Sequence, residues 1–287
     1  MPRKIGKALK RASRGLNNRV AAATRSFFCP CCEKRVTHWK DWTPQYKNAV
    51  CPKCGSHPRH RLIATYFDQI APTLRNSSVL HFAPEKPIRR QIRESAKEYI
   101  CADLRAEGHP YGRDPKGDRK SFLEDQVDVQ ADVTEMQFPE ERFDVVICSH
   151  VLEHVVDDAK ALREIFRVLK YDGWALLQTP FDRCRAVTLE RPDIDTAELR
   201  LKYYLQEDHV RLFGRDIFAR FLAAGFMPAI IPPQSVCSDP KRFGLWPDED
   251  LMIVRKIWTH PNSYFEDESL AIQASGKPAA FYASARG

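Results

Sequence analysis

The chain has 287 residues, of which 43% are hydrophobic and 29% are charged. This length exceeds one average domain, and the composition is that of a globular protein and not of a membrane bundle. No stretch approaches the roughly 18 uncharged apolar residues that a membrane-spanning helix needs. No apolar segment typical of a secretory signal follows the basic start. We therefore expect a cytoplasmic protein with one catalytic-sized domain and one small module.

The net charge of +7 belongs mainly to the start of the chain, because residues 1–25 hold eight Lys and Arg residues and no acid. The rest of the chain is close to neutral, which disfavours nucleic acid as the main substrate. Three interpretations of the tail, residues 1–26, remain open. It is a basic amphipathic helix that lies on an anionic membrane or nucleic acid, an organellar transit peptide, or a solvated tail.

Five of the nine cysteines cluster between residues 29 and 54. In a chain without a secretory signal, such clustering indicates metal binding or reduced thiols. The spacing C-x2-C-x18-C-x2-C predicts a zinc ribbon over residues 27–56, with the ligands Cys29, Cys32, Cys51 and Cys54. Four thiolates fill a tetrahedral shell, so the zinc should be structural. Cys31 remains an alternative to Cys32.

Aromatic residues lie between the two cysteine pairs, namely His38, Trp39, Trp42 and Tyr46. We expect them to form the small core of the ribbon, and the alternative is stacking on nucleic-acid bases. Over residues 57–76, apolar side chains from Leu62 to Ile70 recur at helical intervals and predict a connecting helix.

From residue 77, short apolar runs alternate with helical patterns. This alternation predicts a Rossmann-like, mostly parallel sheet with helices on both faces over residues 77–260. The first strand is expected at Ser78–Ala83 and the second ends at Asp103. Asp103 lies 20 positions after Ala83, where nucleoside-binding folds place an acid that binds ribose hydroxyls. The alternative is a helix-capping or loop aspartate.

The middle of this domain carries a family resemblance. The run Phe143-Asp-Val-Val-Ile-Cys-Ser-His150-Val-Leu-Glu153-His154 is followed by a helical pattern that ends in Arg167-Val-Leu-Lys-Tyr-Asp-Gly173. It closely resembles the class I S-adenosylmethionine-dependent methyltransferases of the type-11 kind. In that family the fourth strand typically reads FDxVxxxxVLEH, and the helix after it ends in a "RVLKPGG" turn. Tyr171 and Asp172 replace the usual Pro and Gly. The resemblance covers about residues 77–180, and it implies that Phe226–Ile231 and Asp250–Ile257 pair as an antiparallel edge.

The resemblance implies S-adenosylmethionine as the cofactor. Together with the position of Asp103, it leads us to predict the cofactor-binding residues His81, Ala83, Glu85, Asp103, Asp132, Val133, Ser149 and His150. The first loop departs from the family, because His81-Phe-Ala-Pro-Glu85 replaces an acidic residue followed by three spaced glycines. Pro84 lacks an N–H and has a fixed φ. We predict that Glu85 receives the cofactor's ammonium or a ribose hydroxyl; the alternative is a degenerate site. A dinucleotide-dependent dehydrogenase would need glycines in this loop.

Methyl transfer depends mainly on aligning the acceptor with the methyl group. A hydroxyl acceptor also needs a base, whereas an amine does not. We predict His209 as the base, since the unperturbed pKa of histidine is about 6.5, with His150 as the second catalytic candidate. Glu153 and His154 are interpreted as structural or positioning residues. The alternative for His209 is capping of the next helix or packing with Tyr204.

The C-terminal third is predicted to contain a helix from Asp216 to Gly225, a Pro-rich connection over 232–249 that borders the acceptor pocket, and a loosely ordered tail over 261–287. The predicted function is methyl transfer to a hydroxyl, or an amine, of a small molecule or glycan. One alternative is an RNA methyltransferase that grips its substrate through the ribbon and the basic tail. The other is a zinc-ribbon scaffold without catalysis.

Overall fold

The structure is a computed structural model that describes residues 26–44, 46–104 and 127–257. Apart from Ser26, the predicted basic tail lies outside these ranges, and so does the predicted C-terminal tail over 261–287. Within the described ranges, no helix is long and apolar enough to cross a membrane.

The secondary structure alternates strands and helices after a short N-terminal hairpin. The strands are β1 (Phe27–Cys29), β2 (Lys34–Val36), β3 (Ser78–Phe82), β4 (Glu98–Asp103), β5 (Val129–Gln130), β6 (Phe143–Cys148), β7 (Leu169–Leu176), β8 (Phe226–Ile231) and β9 (Leu251–Lys256). The helices are α1 (Pro58–Leu74), α2 (Lys86–Ser95), α3 (Asp158–Val168), α4 (Ala197–Tyr204), α5 (Ile217–Ala223) and α6 (Pro233–Val236), with a 3-10 turn at Leu152–His154.

The main sheet has seven strands in the order β5-β4-β3-β6-β7-β9-β8. Strands β3 to β7 are mutually parallel, and β9 runs antiparallel to both β7 and β8. The predicted Rossmann-like sheet and its antiparallel edge are therefore confirmed. The strand order reverses between β3 and β6, and open α/β sheets bind ligands beyond the carboxyl ends of their strands at such a point.

Helices cover both faces of this sheet, which explains why its central strands are continuous apolar runs. On one face, Leu62 and Phe67 of α1 pack with Val79 and Ile147 of the central strands. Helices α3 and α5 pack on the opposite face. Helix α1 is thus part of the layer that covers the sheet, although the sequence predicted it only as a connection.

The segment from Arg167 to Gly173, which was predicted as a turn, differs from that prediction. Strand β7 already begins at Leu169, which pairs with Phe143, whereas the next partner pair is Val145 with Trp174. The extra residues of β7 bulge out of the ladder, and Asp172 has a left-handed φ of 62° there. Aspartate tolerates this conformation better than most residues. The bulge therefore keeps the turn that the family builds with glycine.

The hairpin of the ribbon is tied to the main domain by Arg61, whose side chain is completely buried. Its guanidinium donates to the carbonyl oxygens of Ala49 at 3.0 Å and Ser56 at 2.6 Å in the ribbon. It also donates to those of Phe243 at 2.8 Å and Gly244 at 2.7 Å before β9. One side chain of α1 thus joins the ribbon to a segment that lies 182 and 183 positions further along the chain.

Trp39 completes this junction. The guanidinium carbon of Arg61 lies 4.1 Å from the centroid of the Trp39 ring. Gly244 packs against the edge of the same ring with a φ of +64°, and a Cβ there would lie 2.5 Å from Trp39. A side chain at position 244 would therefore push the ribbon away from the main domain.

We predict that Arg61→Met lowers the free energy of unfolding by at least about 3 kcal/mol, because several buried carbonyls lose their donor at about 1–3 kcal/mol each. Arg75→Met is the matched control, since Arg75 is exposed just after α1. Urea unfolding of both variants measures the difference. Equal free energies for the two variants would contradict this account of the junction.

Candidate active site and metal site

The four predicted zinc ligands lie together. The Sγ atoms of Cys29, Cys32, Cys51 and Cys54 all lie within 4.8 Å of one another. Cys29 and Cys54 are separated by 3.6 Å, and Cys32 and Cys51 by 4.0 Å. A tetrahedral zinc with Zn–S bonds near 2.3 Å places its sulfurs about 3.8 Å apart, so this donor set fits zinc. Cys31 is outside the group and packs against apolar residues of the ribbon and the main domain.

The thiols of this cluster resist ionisation. Burial, and then the neighbouring Cys29, raise the pKa of Cys32. The hydrogen bond with Cys29, and then burial, raise the pKa of Cys54 to about 12. Because thiolates are the metal-binding form, a divalent cation must displace these protons. Zinc binding should therefore weaken as the pH falls.

The structure separates the roles of the two adjacent cysteines. We predict that Cys32→Ser abolishes stoichiometric zinc binding, because it removes one of four sulfurs. Cys31→Ser, the matched control, should retain one zinc per chain, as measured by inductively coupled plasma mass spectrometry on purified protein. Zinc loss in Cys31→Ser with retention in Cys32→Ser would reverse the ligand assignment.

The aromatic residues of the ribbon divide into two groups. Trp39 is only 6% exposed and belongs to the ribbon core, as expected. Trp42 and Tyr46, at 52% and 41% exposure, do not. Tyr46 instead stacks on Trp246 of the main domain, with ring centroids 5.7 Å apart. The prediction of a core role was wrong for Trp42, Tyr46 and the exposed His38, because the buried ribbon core consists of Cys29, Val36, Trp39 and Cys51.

The loop after β3 is strained. Ala83 has a φ of 47°, which is uncommon for a residue with a Cβ, and its N–H donates to the carbonyl of Ala102 at 2.9 Å. Pro84 follows, and Glu85 stands at the N-cap of α2. The loop thus lies at the carboxyl end of the central strand, where the resemblance placed the cofactor loop. Backbone strain of this kind clusters at functional sites.

Glu85 carries an unused acceptor. Its Oε1 accepts hydrogen bonds from Arg59 Nε at 3.1 Å and from His60 Nε2 at 2.7 Å, while its Oε2 is buried without a partner among the described residues. Burial raises the pKa of Glu85, but His60 and Arg59 outweigh burial and hold it well below the usual value. An ionised carboxylate therefore presents one free oxygen, as an ammonium or a hydroxyl ligand requires.

Two predicted cofactor residues lie on the strands beside this loop. His81 is fully buried in β3, and its Nδ1 lies 2.7 Å from the hydroxyl of Tyr99. Burial lowers the pKa of His81 to about 4, so the ring is neutral. Asp103 ends β4, and its Oδ1 accepts the N–H of Leu104 at 2.8 Å. Asp103 therefore lies at the strand tip that the sequence predicted.

The predicted cofactor residues Asp132 and Val133, which follow β5, differ from each other in exposure. Asp132 is exposed after β5, and its Oδ1 accepts from the N–H and the hydroxyl of Thr134 at 2.7 and 2.8 Å. Val133 is buried in the main core. The side chain of Val133 is thus part of the core, and a cofactor contact through its backbone stays a prediction.

A buried carboxylate organises the carboxyl end of β6. Glu153 is 1% exposed, and its Oε2 accepts from the Thr179 hydroxyl at 2.8 Å. Its Oε1 lies 3.0 Å from His150 Nδ1. Burial raises the pKa of Glu153, but the contact with His150 outweighs burial and lowers it to about 2. The carboxylate is therefore ionised and orients the His150 ring.

His150 and Ser149 each carry one polar side-chain atom that has no hydrogen-bond partner among the described residues. His150 has a left-handed φ of 55°, and its N–H donates to the carbonyl of Gln178 at 2.7 Å. His150 Nε2 and Ser149 Oγ are buried and lack partners among the described residues. A ring nitrogen opposite a carboxylate-bound nitrogen is the arrangement of a general base.

The structure brings His209 to the same carboxylate. His209 is 5% exposed, its Nδ1 donates to the Tyr204 carbonyl at 2.9 Å, and its Nε2 lies 4.0 Å from Glu153 Oε1. Burial lowers the pKa of His209, so the ring is neutral at pH 7. The helix that follows is capped by Asp216 and not by His209. His209 therefore contacts Tyr204, as the alternative interpretation expected, and it also lies beside Glu153.

His154 lies next to this cluster, with its ring centroid 4.7 Å from that of His209. Glu153, His154 and His209 each offer a ligand atom within 4.8 Å of the others, a set that could hold a divalent cation. Thr179 and His150 already contact the two oxygens of Glu153. We therefore interpret this group as a proton-handling cluster.

A cavity of about 400 Å³ adjoins the cluster. Gln178 and Thr179, which contact His150 and Glu153, form part of its wall. Asp248 and Glu249, from the Pro-rich connection, and Phe181 also line it. The cavity opens beyond β7, so it is the candidate acceptor pocket.

Sequence reasoning missed three functional arginine and histidine side chains. Arg59 and His60 hold Glu85, and their only signal is the run Arg59-His60-Arg61 directly after the second cysteine pair. Arg211 is 1% exposed and donates to the carbonyl oxygens of Leu152, at 3.1 Å, and Val155. It thereby fixes the 3-10 turn that carries Glu153.

Comparison with known proteins supports this description. Residues 86–177 match the family model described as "Methyltransferase domain". Over 123 residues the chain is 32% identical to the ubiquinone/menaquinone biosynthesis C-methyltransferase UbiE of Proteus mirabilis, which covers 41% of this chain and 48% of that protein. A protein of the same name from Vibrio campbellii is 49% identical over 49 residues, or 17% of this chain and 19% of its own length. The chain thus spans about half, or less, of these relatives.

Solved structures show weaker likenesses. A putative methyltransferase from Bacillus halodurans has a TM-score of 0.42 and 20% identity, with 69% of this chain and 99% of that chain covered. A SAM-dependent methyltransferase from Archaeoglobus fulgidus has a TM-score of 0.44 and 14% identity, with coverages of 68% and 93%. The family match and the curated relatives confirm the methyltransferase domain that the sequence motifs predicted.

Proposed function

We propose that this chain, which carries a methyltransferase domain of the S-adenosylmethionine-dependent type, methylates a small molecule bound in the cavity beyond β7. The observation that carries the proposal is the group of buried polar atoms of Glu85, Ser149 and His150 that lack partners among the described residues and follow the carboxyl ends of the central strands. A ligand bound at these strand ends would supply the missing partners.

The residues present fit this cofactor. The ionised Oε2 of Glu85 suits an ammonium group, and Asp103, at the tip of β4, suits ribose hydroxyls. Asp132 lies at the end of β5, on the side that the resemblance assigns to adenine. Ala83 keeps the loop narrow, and Ser149 and His150 border the methionine half. His81 supports the loop from within the sheet.

The bound cofactor supplies an electrophilic methyl group, and the chain's own residues then handle the acceptor. Glu153 orients His150, whose Nε2 is the nitrogen available to take a proton. His209, held by Tyr204, lies beside the same carboxylate and is the base that the sequence predicted. The proton of an acceptor hydroxyl thus passes to a neutral imidazole, while the buried Glu153 stabilises the imidazolium that forms.

The acceptor is proposed to be a hydroxyl or an amine of a small molecule. A second candidate is a ring carbon activated by an adjacent hydroxyl, because the curated relatives are named C-methyltransferases. The same base serves both, since removal of the hydroxyl proton makes either the oxygen or the ring carbon nucleophilic. The proposals of a glycan or an RNA acceptor are supported by the sequence interpretation alone. Methyl-labelled product from a panel of small phenols, quinols and amines would identify the methylated atom by its NMR chemical shift.

Cofactor binding is tested by thermal melting with S-adenosylhomocysteine. A ligand that binds only the folded state stabilises it by roughly 2.7 kcal/mol at a hundredfold excess over Kd, so the wild type should melt at a higher temperature. Asp103→Ala and Glu85→Gln should reduce this shift. Glu94→Gln is the control, because Glu94 is 67% exposed on the same helix as the Glu85 cap. No shift in the wild type would favour the scaffold alternative.

The catalytic assignment is tested with an acceptor from the same panel. His209→Ala and His150→Ala should each lower kcat by about a hundredfold or more, and His209→Ala should leave the Kd for S-adenosylhomocysteine unchanged. Because burial lowers the pKa of His209 below its usual value, kcat/KM of the wild type should fall only as the pH drops below about 6.5. Unchanged turnover in His209→Ala would remove this residue from the mechanism; exposed His38→Ala is the control.

A further inference from the structure

The zinc ribbon and the cofactor loop meet at the first turn of α1. Cys54 and Arg59 are five positions apart, and the backbone between them forms the turn that leads into the helix. Ser56 in this turn places its hydroxyl 3.2 Å from Cys29 Sγ and 3.3 Å from Cys54 Sγ. The turn is therefore fixed directly against two of the proposed zinc ligands.

His60 transmits this position to the cofactor loop. Its Nδ1 accepts the backbone N–H of His57 at 3.0 Å, so the ring proton must be on Nε2. Nε2 then donates to Glu85 Oε1 at 2.7 Å. His60 is 5% exposed, so this hydrogen bond is shielded from water. A shift of the His57 backbone would consequently move the donor away from Glu85.

Two arginines reinforce the same path. Arg61 donates to the Ser56 carbonyl at 2.6 Å and so clamps the turn onto the ribbon. Arg59 Nε donates to Glu85 Oε1 at 3.1 Å. Both donors to Glu85 therefore come from one helical turn, and they occupy one oxygen while Oε2 stays free.

We propose that the four-cysteine site and the cofactor site are energetically coupled through Arg59 and His60, which act as positioning residues for Glu85. This inference rests on the proposed function, because it takes Glu85 as a cofactor ligand. Metal in the ribbon holds the 55–60 turn, the turn aims the free oxygen of Glu85 at the cofactor, and the cofactor in return stabilises the metal-bound ribbon. The ribbon thus acts on the cofactor site through the first turn of α1.

Coupling between two binding equilibria is reciprocal, so each ligand must change the affinity of the other by the same factor. We expect a factor of about ten, which lies within the usual range of roughly 5 to 150 for coupled sites. Full-length chain is prepared with and without zinc, and calorimetry gives the Kd for S-adenosylhomocysteine in each form. Competition with a colorimetric chelator gives the zinc affinity with and without saturating S-adenosylhomocysteine.

Variants separate positioning from folding. His60→Ala should retain one zinc but weaken S-adenosylhomocysteine binding about tenfold and abolish the reciprocal effect. His60→Gln should restore both, since a glutamine amide has one acceptor for the His57 N–H and donors for Glu85. His38→Ala, in the exposed part of the ribbon, is the control and should match the wild type.

The possible failures are distinguishable. If the zinc-loaded wild type does not bind S-adenosylhomocysteine, the proposed function itself fails. If it binds, and His60→Ala binds equally well, the coupling is overturned while the proposed function stands. Zinc affinity that is identical with and without S-adenosylhomocysteine would overturn it as well. The comparison of the zinc-loaded wild type with zinc-loaded His60→Ala needs no zinc-free protein, so the test remains decisive even if zinc removal unfolds the chain.

Discussion

The arrangement of the whole N-terminal half depends on the buried guanidinium of Arg61. Its donors are satisfied by backbone carbonyls, and no carboxylate of the described residues lies within ion-pair distance. An uncompensated buried cation is costly, and burial accordingly lowers the pKa of Arg61, while Cys29 and its neighbours in the cluster raise it. A divalent cation with four thiolates carries two net negative charges. A ribbon loaded with such a cation would therefore supply a counter-charge for Arg61.

The segments at the carboxyl ends of the strands have strained backbones at positions without glycine. Ala83 and His150 both have left-handed backbones, and each is held by a hydrogen bond to a neighbouring segment, through the carbonyls of Ala102 and Gln178. Such conformations persist only where the surroundings over-determine them. The hydrogen bonds to these neighbouring segments supply that constraint, in a loop after β3 that contains no glycine.

Local patterns were sufficient to predict the sheet, its order of elements and the cysteine cluster, because strand length, helical spacing and knuckle spacing are properties of short segments. The pairing of His60 with Glu85 spans 25 positions, and that of Arg211 with Leu152 spans 59, so neither leaves a local signal. The exposure of Trp42 and the burial of Val133 likewise depend on tertiary packing, which short sequence patterns do not show. For the same reason the sequence did not predict the residues that line the cavity, because its walls come from three separate segments.

Two buried carboxylates then divide the work of the site. Glu85 and Glu153 are both ionised in spite of burial, and each is held by basic side chains that leave part of its acceptor capacity unused. The partners of Glu85 include an arginine, which stays charged at every relevant pH, so its free oxygen is suited to a permanent cationic ligand. The neighbours of Glu153 are imidazoles, which change charge when they take a proton. In the proposed function the first carboxylate would therefore suit binding and the second proton transfer, and they follow the adjacent strands β3 and β6.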